Sequence, residues 1–120
     1  MTKKEVLAVK NEIQPQNKET LLKYISEMNS IIHDRGVTKS MWFWNDNGNR
    51  GIRNSKENYY YRDVTLSLGS HVIEYYRNIN MSCKHVYVNE SLSIDGYKAS
   101  VADLKKLIAA CEELIHNQTV

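Results

Sequence analysis

The chain has 120 residues, 42% of them hydrophobic and 25% charged, with a net charge of +2 at neutral pH. That length suits one domain, residues 1–120, around one core, and the balance excludes a disordered or fibrous chain. A charge so near neutral does not by itself call for nucleic acid, and no apolar run approaches the roughly 20 residues of a membrane helix.

The opening Met1-Thr2-Lys3-Lys4-Glu5 lacks the apolar stretch of a signal peptide, so a cytoplasmic protein is expected, without a membrane partner. Cys83 and Cys111 show no C-x-x-C spacing and read as reduced structural thiols. Neither a metal nor a cofactor is expected. Abundant Lys, Ile and Tyr and 12 asparagines fit an AT-rich genome, such as that of a low-GC bacterium or its phage.

In chain order, Thr2-x-x-Glu5 has the form of a capping box, and Val6, Val9 and Ile13 follow at helical spacing before Gln14-Pro15. Residues 1–15 therefore read as an N-terminal helix or arm. Asn17 caps a second helix whose stripe of Leu21, Ile25, Met28 and Ile32 runs to Gly36. Met41-Trp42-Phe43-Trp44 reads as a strand, and a loop of about 14 residues separates it from Tyr59. Beyond the loop the hydrophobic period changes from 3.6 to 2. Finally, Ser100-x-x-Asp103 caps a helix carrying Leu104, Leu107, Ile108, Cys111 and Leu114 on one side.

The strand register follows from the turns. A two-residue turn at Gly69-Ser70 sets Leu68 opposite His71, Leu66 opposite Ile73 and Val64 opposite Tyr75. A second turn between Asn78 and Met81 would set Ile73 opposite Val86 and Glu74 opposite His85. Val64, Leu66, Leu68, Ile73, Val86 and Val88 then share one face, while Asp63, Thr65, Ser67, Glu74, Tyr76, His85 and Tyr87 share the other. Leu92-Ser93-Ile94 adds a short strand, and all five glycines fall at predicted ends or turns. The expected fold is α+β, an antiparallel meander of four to five strands with helices packed on one face, in the order α-α-β-β-β-β-α.

Two places could carry function. The long loop holds Arg50, Arg53 and Lys56, and its base holds Trp42, Trp44, Tyr59 and Arg62. Guanidinium forks beside aromatic faces are what a phosphate-bearing ligand or an unstacked base needs; the competing reading is a solvated hairpin. The polar sheet face offers Glu74 and His85 for acid–base chemistry, but cross-strand pairs of this kind are common on wet sheets. Val72, Tyr76 and Tyr87 on that face suit a homo-oligomer interface instead. No P-loop, G-x-G-x-x-G, H-E-x-x-H or G-x-S-x-G motif is present, which favours a non-catalytic protein.

The expectation is a small, phage-encoded binding protein that acts against a host defence system by sequestering an anionic, nucleotide-like ligand. One alternative is a protein–protein inhibitor or adaptor directed at a host protein through a sheet face or edge, and another is an unrecognised small hydrolase.

Overall fold

The computed structural model describes residues 1–36, 42–44, 50–52, 61–82 and 85–119, with side chains described over 1–36, 62–78 and 88–118. Helix α1 spans Lys3–Ile13, α2 Lys18–Arg35 and α3 Val101–Thr119. The strands are β1 Trp42–Trp44, β2 Arg50–Ile52, β3 Tyr61–Leu68, β4 His71–Ser82, β5 His85–Ile94 and β6 Tyr97–Lys98. Strands β3-β4-β5-β6 form a four-stranded antiparallel meander, and β1-β2 pair in a sheet of their own. This is the expected α+β architecture.

Each helix begins where its sequence supplies a cap. Thr2 Oγ1 accepts from the Glu5 N–H at 3.2 Å, and Glu5 returns the bond to the Thr2 N–H. Asn17 Oδ1 accepts from Thr20 N–H at 2.9 Å, and α2 ends at Gly36, whose N–H reaches the carbonyls of Ile32 and His33. Ser100 and Asp103 repeat the reciprocal arrangement ahead of α3. Such caps satisfy backbone donors that a helix start leaves open, typically contributing about 1 kcal/mol each. The first segment is thus a full helix rather than an arm, with Val9 and Ile13 buried.

The β3–β4 hairpin has the expected register, Leu68 opposite His71, Leu66 opposite Ile73 and Val64 opposite Tyr75. One face of the sheet contributes Leu66 and Leu68 of β3, Ile73 and Tyr75 of β4, and Leu92 and Ile94 of β5 to the core. The helices cover that face with Val9 and Ile13, with Leu21, Met28 and Ile31, and with Leu104, Leu107, Ile108, Cys111 and Leu114. Helix α3 packs against both other helices. It runs beside α1 in the same direction: Lys10 Nζ lies 2.6 Å from Glu113 Oε1, and Gln118 Nε2 donates to the Gln16 carbonyl.

Four expectations are corrected. The second turn does not lie between Asn78 and Met81: β4 continues to Ser82, which pairs with His85, so Ile73 faces Ile94 and Glu74 faces Ser93. Leu92–Ile94 is accordingly the end of β5, not a separate strand; the short strand is β6, reached through Asp95-Gly96. Both turn residues there take positive φ, 54° and 82°, as the tightest right-twisted hairpins require. The long loop after Trp44 is interrupted by β2, so β1 closes a hairpin instead of joining the meander. Gly51 then lies inside a strand rather than at a turn, where it pairs with Phe43. Among the described residues, no helix is long and apolar enough to cross a membrane.

Candidate functional site

Among the described residues, the helix-covered sheet face carries a row of charged side chains across β3, β4 and β5. Arg62 on β3 pairs in register with Arg77 on β4, and Arg77 pairs with Glu90 on β5. Two arginines directly opposite one another repel unless an anion lies between them. The C-terminal turn of α2 supplies it: Asp34 Oδ2 lies 2.9 Å from Arg62 Nε, and Asp34 Oδ1 lies 4.0 Å from Arg77 Nη2.

Arg77 Nη1 also donates to the Asp34 main-chain carbonyl at 2.7 Å, placing a cation against the partial negative charge of the helix end. Arg77 is 1% exposed and Asp34 2%. A second carboxylate completes the network. Glu90 accepts from the Tyr75 hydroxyl at 2.6 Å and forms an ion pair with Arg35, whose Nη1 lies 3.2 Å from Oε1, while Arg62 Nη2 donates to Ser30 Oγ at 3.1 Å. Burial, and then the bond to Glu90, push the Tyr75 phenol well up, so it stays a proton donor.

Three guanidiniums therefore meet two carboxylates. Arg77 and Asp34 are sealed, whereas Arg35 and Arg62 keep 28% and 33% of their side chains exposed. The place matters as much as the charge. Helix α2 ends at Gly36 and β3 begins at Tyr61, so the segment 37–60, with Arg50, Arg53 and Lys56, leaves from and returns to this row.

The expected ligand residues divide accordingly. Arg62 stands in the row, bound to Asp34 and Ser30. Trp42 and Trp44 lie on β1 and Arg50 on β2, where the register makes Arg50 the partner of Trp44. Arg53, Lys56 and Tyr59 lie outside the described residues. Of the expected interface residues, Tyr76 is 37% exposed on the sheet face away from the helices and Val72 is half-buried; the side chain of Tyr87 lies outside the described set. Glu74 and His85 are not neighbours, since Glu74 pairs with Ser93 and His85 with Ser82 at the far end of β4. Acid–base chemistry centred on that pair is thereby overturned.

Sequence reasoning missed a different histidine. His71 Nδ1 lies 2.6 Å from Asp95 Oδ2, and Nε2 lies 3.5 Å from Glu12 Oε2. An ionised carboxylate only accepts, so Nδ1 carries the proton. Glu12 also accepts from the N–H and hydroxyl of Ser70, and Asp95 from the Val72 N–H. The Ser70 bonds lower the Glu12 carboxyl, and the bonds from His71 and then Val72 lower Asp95.

A cleft of about 500 Å³ opens beside them, bordered by Tyr97, Lys98 and Asp103 among others. Its acids are committed to holding turns and helix starts. Asp103, for instance, caps α3 and binds the Met1 amino group, the largest cause of its lowered carboxyl. Among the described residues, no group of three or more His, Cys, Asp and Glu is arranged to hold a metal ion. No protein-family model, curated protein or solved structure matches the chain.

Proposed function

We propose that the protein is a non-catalytic binding protein that captures an anionic, nucleotide-like ligand where the arginine row meets the segment 37–60. The observation that carries this reading is the excess of cations at that point: Arg35, Arg62 and Arg77 against Asp34 and Glu90. The segment rooted there brings Arg50, Arg53 and Lys56 and only two acids, Asp46 and Glu57. A phosphate is the complementary charge, and guanidinium forks bind it with two parallel bonds. The pairing of Arg50 with Trp44 supports a ligand that combines an anion with an aromatic ring. Capture needs no nucleophile or general base.

Thermal denaturation in the presence of ATP, cyclic nucleotides and short oligonucleotides tests this. Ligand at about 100 times its Kd should add about 2.7 kcal/mol of stability. The Arg50→Ala, Arg53→Ala, Lys56→Ala triple variant should lose that gain while its ligand-free midpoint stays put. If no anion raises the midpoint, or the triple variant keeps the full shift, the reading fails.

The exposed Tyr76 favours a second reading, a homodimer through the sheet face away from the helices. Light scattering at micromolar concentration should then show a dimer that Tyr76→Glu disrupts. A monomer at every concentration rejects it.

A further inference from the structure

The parallel packing of α1 and α3 leaves a groove of about 430 Å³ on the outside of the helical layer. Its floor is apolar, made by Val6 and Leu7 of α1 and by Ala109 and Ala110 of α3. Leu7 is 53% exposed, off the stripe by which Val9 and Ile13 enter the core. A scattered surface leucine needs no explanation, but one set in a concave apolar trough with small residues opposite is a docking geometry.

The lips repeat at helical intervals. Lys3, Leu7 and Lys10 follow one another along α1, and Lys106, Ala109 or Ala110, and Glu113 along α3, at spacings that stack side chains in a row. The two alanines let another backbone come close.

The rim fixes the chemistry of the occupant. Lys3, Lys10 and Lys106 border the groove against one acid, Glu113. Glu113 is paired with Lys10 at 2.6 Å, and Lys106 Nζ donates to the Met1 carbonyl without losing its charge. Three ammonium groups against one carboxylate leave an excess of two positive charges around an apolar trough. We infer that this groove docks an amphipathic helix of an acidic partner protein, its aliphatic stripe on Val6, Leu7 and the alanines and its carboxylates on the lysines. A rod-shaped partner fits a trough between two helices, as in other helix-in-groove complexes, whereas a flat anionic membrane would meet only the protruding lips.

The probe is a fluorescein-labelled synthetic peptide of about 14 residues, some four helical turns, with Leu at every third or fourth position and Glu between. A second peptide carries Lys in place of Glu. Anisotropy titration of the full chain should show binding of the acidic peptide that weakens as salt rises, and at least about tenfold weaker binding of the basic one. Leu7→Gln and Ala109→Gln lie at exposed positions, so the melting midpoint should hold while affinity for the acidic peptide falls about tenfold.

Failure of the acidic peptide to bind, equal binding of the two peptides, or indifference to both variants overturns the inference. So does sedimentation with phosphatidylserine vesicles that Leu7→Gln abolishes in a protein blind to the peptide, which would assign the groove to lipid. Self-association abolished by Ala109→Gln would assign it to a second copy.

Discussion

Removing the carboxylate of Asp34 tests the arginine row most directly. Arg62 and Arg77 are cross-strand partners, and Asp34 is the acid between them, with Arg77 and Asp34 only 1% and 2% exposed. Asp34→Ala leaves Arg77 in a sealed site, bonded to the main-chain carbonyl of residue 34 but without the Asp34 carboxylate. Breaking a buried ion pair from one side costs about 3 to 5 kcal/mol, because the remaining charge keeps its desolvation cost and loses the attraction that offset it.

Against a total stability of about 5 to 15 kcal/mol, that is a large share. With 120 residues, the unfolding entropy of about 2.1 cal/mol/K per residue comes to about 0.25 kcal/mol/K, so the midpoint should fall by about 12 to 20 °C. Urea unfolding followed by circular dichroism and calorimetry measures both. In the double variant with Arg77→Met, the cost should fall well short of the sum of the two single costs, because the stranded cation is gone. A loss below about 1 kcal/mol for Asp34→Ala, or strict additivity in the cycle, would refute the picture of one sealed network.

Acid should loosen the other end of the sheet. Glu12 and Asp95 are held below their ordinary carboxyl values of 4.5 and 3.8, so their contribution is present above that range and is lost as pH falls through it and below. Glu12→Gln and Asp95→Asn should flatten the fall of stability on acidification below about pH 4.5; an unchanged slope rejects these contacts.

Gly69 and Gly96 separate backbone strain from collision. Both have positive φ, but a Cβ on Gly69 would lie 2.6 Å from Glu12 Oε2 and 2.9 Å from Glu12 Cβ, whereas Gly96 has nothing within 4 Å. Gly96→Ala should cost about 1 kcal/mol and Gly69→Ala clearly more, as measured by chemical denaturation; equal costs would mean α1 does not press on the turn. Leu66→Ala should cost about 2 to 5 kcal/mol by the same measurement, and a cost near zero would contradict the burial of β3 beneath the helices.

Local chemistry made the helices and first hairpin readable. Thr2/Glu5, Asn17 and Ser100/Asp103 are caps whose partners lie within three residues, and the Gly69-Ser70 turn fixes its own register. The second hairpin escaped for a geometric reason. Moving the partner of Ile73 from Val86 to Ile94 is a shift of eight residues, and an even shift leaves every side chain on the same face. Separation of polar from apolar residues tests parity and cannot choose among even registers; only the turn can, and Asn78–Met81 resembles one.

The early turn also hid the acid of the arginine row, since it set Ser82 rather than Glu90 opposite Arg77. The signal was present: Arg77 follows Ile73 and Tyr75 at strand spacing, a charge in line with the core face. His71 was missed because Asp95 reaches it only once β5 has its true length.

The side-by-side run of α1 and α3 has a consequence for how the chain is made. The contacts of Lys10 with Glu113 and of Gln16 with Gln118 span about a hundred residues. Closing so long a loop is slow compared with zipping a local hairpin such as β3–β4. On the ribosome, α1 cannot take its final place until residues 101–119 have emerged. Until then Val9 and Ile13 lack the part of their cover that α3 supplies, which makes them a stretch where a chaperone would engage and where aggregation would start if elongation stalled.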